Sequence, residues 1–173
     1  MRTPKKRTSL ALAGSAALVA GVVVWPAGAA AAPEGEVLEG TFETDRVEEV
    51  FLDHDANGVP SLGDELVYTN TSTGGLGDAT DRGHCVFHQV DLAADSTVLH
   101  CTATNVGPRG SLTVQGVSRT GITAPVLREP SSWAVTGGTG EFASASGEIH
   151  IEEFEGAGLD FRSRGTFRIV LGG

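Results

Sequence analysis

Trp133-Ala-Val-Thr-Gly-Gly-Thr-Gly-Glu-Phe-Ala-Ser-Ala-Ser-Gly-Glu-Ile149 is the stretch on which the reading of this chain turns. It reads as a short strand, a tight glycine turn at Gly137-Gly138, a link of small residues and the start of another strand. Within it, Gly138-Thr-Gly-Glu-Phe-Ala143 matches the spacing of a dinucleotide-binding loop. That loop works only where a helix N-terminus follows and receives the pyrophosphate. Here Ser144, Ser146 and Gly147 lead into a strand, and Glu141 repels phosphate, so the nucleotide reading is excluded.

The pattern continues outward in both directions. From Leu159 to Leu171, one face carries Leu159, Phe161, Ser163, Gly165, Phe167, Ile169 and Leu171; the other carries Asp160, Arg162, Arg164, Thr166 and Arg168. Period-two alternation of this kind marks a half-buried antiparallel strand. Further strands are expected near Thr44–Leu52, Asp64–Asn70, Arg82–Asp91, Ser96–Val106, Ser111–Arg119, Ser132–Thr136 and Gly147–Glu155. Turn signals separate them, among them Asn57-Gly58, Gly74-Gly75, Pro108-Arg109-Gly110 and Gly156-Ala157-Gly158. No segment sustains an apolar helical period. The chain is therefore all-β, with about eight strands, a number suited to a closed barrel or a sandwich.

The N-terminus carries Arg2, Lys5, Lys6 and Arg7, an apolar run from Ser9 to Val24, and small residues from Ala27 to Ala32. That order is a cleavable secretory signal, assigned to residues 1–31; the run is short for a permanent membrane anchor. Residues 32–43 then form an N-terminal extension and 44–173 one domain. Removing the signal leaves eight of the twelve basic residues, all arginine, against all 22 acids, a formal charge of −14. Such a surface repels nucleic acid and anionic lipid, so no nucleic-acid or membrane partner is expected after cleavage. An extracellular location suits the two cysteines. If Asp91 faces Asp95 across the Leu92-Ala93-Ala94 connection, Gln89 faces Thr97, Phe87 faces Leu99 and Cys85 faces Cys101, close enough for a structural disulfide.

Several clusters are candidates for chemistry. Asp53, Asp55, Asn57 and Asp64 fall at positions 1, 3, 5 and 12 of a calcium-loop pattern, with Gly58 at 6 and Ser61 at 9. The competing reading is a polar hairpin loop using Asn and Gly for its turn, and no metal is favoured. In the register above His84, His88 and His100 share a sheet face, with His88 and His100 as diagonal neighbours; no fourth ligand completes a metal site. Glu148, Glu152, Glu153 and Glu155 spread over both faces of one strand, which fits a solvated edge better than a glycosidase pair. No Gly-x-Ser-x-Gly turn marks a serine nucleophile.

Gly63-Asp64-Glu65-Leu66-Val67-Tyr68, Gly83-His84-Cys85, Leu99-His100-Cys101, Leu112-Thr113-Val114-Gln115-Gly116 and Val135 to Phe142 occur in order. Together they resemble the allene oxide cyclase barrel superfamily, which includes the dirigent proteins. The sharpest element is Gly-Gly-Thr-Gly-x-Phe-x-x-Ala-x-Gly, Gly137 to Gly147, and the likeness covers roughly Thr44 to Leu171. It implies an eight-stranded antiparallel β-barrel of lipocalin-like shape, a hydrophobic cavity and often a trimer. Family members steer reactive intermediates by cavity shape and use no cofactor. Two arginines common in dirigent proteins are replaced here by Ala143 and Ser146. Two functions follow: a secreted barrel that binds a small hydrophobic or aromatic ligand in its lumen, or a cyclase, isomerase or dirigent-type enzyme. Tyr68, His88, His100 and Trp133 are the candidate pocket residues, depending on which strand face lines the lumen.

Overall fold

The computed structural model describes residues 35–123 and 127–172; the signal segment 1–31 lies outside them. The chain forms a closed antiparallel barrel of eight strands in sequential order. These are β1 Val37–Leu52, β2 Glu65–Gly74, β3 Ala79–Asp91, β4 Ser96–Gly107, β5 Gly110–Thr120, β6 Ser131–Gly140, β7 Ser146–Glu155 and β8 Arg162–Val170. All eight expected strands are present, and of the two architectures that number suits the chain adopts the barrel, as the resemblance implied. β1 starts at Val37, seven residues before the expected strand, because its first half pairs with β8. That ladder runs in unbroken register from Val37↔Val170 to Asp45↔Arg162 and closes the barrel.

Alternation follows directly from closure, since every second residue of each strand must point into the lumen. On β8 these are Ser163, Gly165, Phe167 and Ile169, while Arg162, Arg164 and Arg168 face out and pair with Asp45, Glu153 and Glu39. Lumen-facing residues of β3 to β6 include Cys85, Phe87, Leu99, Cys101, Leu112, Val114, Trp133 and Val135, all buried.

The eight-stranded lumen is narrow, and its aromatics fit because glycines stand beside them. Tyr68 lies across its cross-strand neighbour Gly83, and Trp133 across Gly116. A Cβ at Gly83 would meet the Tyr68 ring at 2.0 Å, and one at Gly116 the Trp133 indole at 2.2 Å.

Three local expectations are corrected. Gly137-Gly138 is not the hairpin turn: β6 continues through it to Gly140, with an irregularity at Thr136, and residues 141–145 make the turn. Gly137 takes a φ of 138°, a backbone conformation that glycine adopts readily at such a bulge. Second, Cys85 does oppose Cys101 and Phe87 opposes Leu99, and the disulfide is formed. Beyond Phe87, however, the register slips at His88, so Gln89 faces Val98, Val90 faces Thr97 and Asp91 faces Ser96. The β-bulge takes one residue of β3 out of the ladder, so the connection holds four residues, 92–95, instead of the expected three. Third, in the β7–β8 connection, Gly158–Asp160 forms a short 3₁₀ turn rather than the start of β8, leaving Leu159 exposed.

Replacing Gly116 by alanine is expected to displace Trp133 and destabilise the barrel by about 1–3 kcal/mol, the range for overpacking a core, measured as a lower urea midpoint at unchanged slope. Reducing the disulfide, whose cysteines are 16 residues apart, is expected to remove about 3 kcal/mol by restoring loop entropy to the unfolded chain. Calorimetric melting with and without reductant checks it.

Candidate functional site

The barrel encloses a cavity of about 380 Å³, within the range of small-molecule sites. Its wall is largely apolar, with Leu66, Phe87, Leu99, Leu112, Trp133 and Phe167 among its residues. A polar row interrupts it. Arg46 on β1, Asn70 on β2, Asp81 on β3 and Asn105 on β4 are successive cross-strand partners, and all four line the cavity.

A bulge sets the composition of this row. Register on β1 slips at Val47, between Arg46 and Glu48. Up to that point Phe42, Thr44 and Arg46 line the cavity; after it Glu49 and Phe51 do. Without the extra residue Glu49 would face solvent. With it, Glu49 reaches Arg46 and the two carry an ion pair inside the barrel mouth.

Arg46 is held on every side. Its Nε donates to Asn70 Oδ1 at 2.6 Å, one terminal nitrogen donates to Glu49, and its guanidinium lies 4.4 Å from the Tyr68 ring centroid and 4.3 Å from that of Phe161. Cation–π contacts of this kind are strongest where water is excluded, and the Arg46 side chain is only 4 % exposed. Burial pulls its pKa down while Glu49 opposes that shift. Burial likewise pushes the Tyr68 phenol up, reinforced by Asp81. Asn70 continues the chain, its Nδ2 donating to Asp81 Oδ2 at 3.1 Å.

Asp81 is the cavity carboxyl whose pKa burial raises. Burial pushes it up to about 6, against the downward pull of the Asn70 hydrogen bond and the Arg46 charge. It lines the cavity. A carboxyl poised near neutrality in an apolar cavity can hold, give or take a proton.

The sequence-derived pocket residues divide. Tyr68 and Trp133 line the cavity, where Trp133 Nε1 donates to Ser118 Oγ at 3.2 Å. His88 and His100 do not; they lie on the outside, His88 on the bulge, with ring centroids 5.4 Å apart and His100 beside Gln115. The reason is parity: Cys101 points inward, so His100 next to it points out. The same rule, applied from Cys85, would have found Asp81 and Phe87. Arg46 and Glu49 had no comparable signal, because a bulge separates their phases.

The Asp53–Asp64 loop joins β1 and β2. Carboxylate oxygens of Asp53, Asp55 and Asp64 lie within 4.8 Å of one another. They also accept bonds from the loop itself. Asp53 takes the amides of Asn57 and Gly58, Asp64 those of His54 and Ser61, and Ser61 Oγ lies 3.0 Å from Asp55. Backbone donors, Gly58 for Asp53 and His54 for Asp64, hold both carboxyls below the ordinary range. Glu148, Glu152, Glu153 and Glu155 do not line the cavity.

No family model and no curated protein sequence matches this chain. Solved structures do. A pyocyanin demethylase superimposes with a TM-score of 0.55 at 22 % identity, over 77 % of this chain and all of that one. Two pterocarpan synthase dirigent proteins superimpose with TM-scores of 0.56 and 0.59 at 17 % and 15 % identity, each over 81 % of this chain and over 91 % and 98 % of their own. The chain shares the fold of these proteins, an eight-stranded antiparallel β-barrel, as the resemblance implied.

The raised Asp81 pKa has a defined effect on stability. The folded state keeps its proton to higher pH than the unfolded chain does. Its contribution is thus fully present below about pH 4 and is lost as pH rises through about 6. A carboxyl moved from its ordinary value to about 6 makes that loss about 2–3 kcal/mol. Asp81→Asn is expected to remove this component: the stability difference between variant and parent grows in the variant's favour from about pH 4 to about pH 7. Urea denaturation across that range measures it, and a constant difference contradicts the assignment.

Proposed function

We propose that this chain is a secreted dirigent-like barrel whose lumen binds a small, largely apolar or aromatic molecule. The observation that carries the reading is the 380 Å³ cavity, walled by aromatic and aliphatic side chains and bearing a short polar row. Apolar walls drive binding by removing ligand surface from water, and a few fixed polar groups set orientation. Secretion is supported by the signal pattern of residues 1–31 and by the Cys85–Cys101 disulfide, a bond that persists in oxidising compartments.

A second reading has its own observation. Asp81, poised at about 6, suits acid–base turnover of the bound molecule in the manner of an isomerase or cyclase. The shaped wall would supply orientation and the carboxyl the proton. That structural neighbours are named for demethylating pyocyanin and for pterocarpan synthesis supports this alternative.

The test uses N-phenylnaphthylamine, a neutral apolar fluorophore, as a stand-in ligand. Saturable binding at one site per chain is expected. Ala103, buried in the lumen wall, offers a plug: Ala103→Trp is expected to weaken binding by at least about tenfold, about 1.4 kcal/mol, with the barrel's circular dichroism retained. A folded variant that binds as the parent does places the probe elsewhere and removes the lumen as the site.

A further inference from the structure

We infer that the lumen selects by charge, taking neutral or cationic aromatic molecules that carry an N–H or O–H donor and rejecting carboxylates. The inference rests on the lumen being the binding site.

It begins with a census of the cavity wall. Among the described residues that line it, the side chains charged near neutral pH are Arg46, Glu49 and Asp81: one cation against two carboxylates. The Tyr68 phenol, pushed up by burial, stays neutral. Asn70 on β2 and Asn105 on β4, the partners that flank Asp81 in the sheet, carry no charge.

The single cation is already engaged. Glu49 takes one terminal nitrogen of Arg46, Asn70 takes Nε, and the rings of Tyr68 and Phe161 stack on its plane. An incoming carboxylate would have to displace Glu49 and expose it unpaired at the mouth of an apolar cavity, where unpaired charge is costly. It would also meet Asp81.

Asp81 is differently placed. Asn70 occupies Oδ2. Oδ1 has no hydrogen-bond partner among the described residues, yet no side-chain oxygen there is sealed without one. Oδ1 is therefore accessible, and because Asp81 lines the cavity it is the acceptor that a ligand there can reach. A hydroxyl or amine on an aromatic body fits that acceptor, while the body packs on Phe87, Leu99, Trp133 and Phe167. Once Asp81 is ionised the lumen holds a net negative charge, and an ammonium head gains most. A neutral donor binds either protonation state, because a protonated carboxyl keeps an acceptor oxygen.

Three probes with one body separate these cases: naphthylmethylammonium, naphthalenemethanol and naphthoate, titrated calorimetrically into the full chain at about pH 5 and about pH 8. With Asp81 at about 6, its ionised fraction rises about tenfold between those conditions. The ammonium probe is expected to tighten by up to that factor, and the alcohol to stay level. At the higher pH the ammonium should exceed naphthoate by at least about tenfold. Asp81→Asn is expected to abolish the pH dependence. Should that variant fail to fold, Glu49→Gln carries the test, with a narrower ammonium-over-naphthoate ratio as the expected result and an unchanged ratio as the contrary one. Equal binding of all three, or naphthoate the tightest, overturns charge selection while leaving lumen binding intact. If none of the three binds, the lumen-binding reading itself falls.

Discussion

Closure of β1 on β8 is the constraint from which the rest of this molecule follows. Nine consecutive residue pairs join the first and last strands, so the barrel has no free edge and every strand has one face turned inward. A sheet so closed removes the exposed donors and acceptors that invite strand addition. It also packs the inward side chains of eight strands into a narrow space. Two of the larger ones fit only because glycines stand beside them, Gly83 for Tyr68 and Gly116 for Trp133. Aromatics that lie against the wall in this way leave the centre open. The cavity is a product of the packing, not a defect in it.

The polar row shows what a closed wall permits when its phase is broken. A single extra residue at Val47 brings Glu49 round to Arg46. Buried ion pairs contribute little to stability on balance, because desolvation offsets much of their attraction. Here every sealed side-chain polar atom among the described residues has a partner, so the row is tolerated at modest cost. A well-packed hydrophobic replacement would serve folding as well or better. The Asp81 carboxyl goes further and makes the barrel less stable near neutral pH than it would be with a neutral side chain. Groups that are tolerated against stability are those whose use lies in contact with something else.

Much of the fold was legible because alternation is a strong signal and closure obeys it. All eight strands, the pairing of Cys85 with Cys101, and the inward face of β8 could be read from residue type and spacing. The site was less legible, for a physical reason. Inward polar residues in a barrel look like outward ones in an open sheet, so Arg46, Asn70 and Asp81 pass for solvent-facing positions. One-residue bulges at Val47 and His88 invert the phase with no compositional mark. The histidines attracted attention for their chemistry and lie outside. Tyr68 and Trp133 were singled out as aromatics and line the lumen. The disulfide held the missing information, since two cysteines that bridge inside fix the inward parity of β3 and β4.

The indole of Trp133 has an optical consequence. It is the only tryptophan among the described residues; the other, Trp25, lies outside them. Its ring rests on Gly116, its nitrogen is tied to Ser118, and it is 5 % exposed. The barrel therefore carries one indole among its described residues, set in the wall of its own cavity. Its emission belongs to a dry, rigid environment. Any molecule entering the cavity would meet it, with the sheet between it and the outer surface.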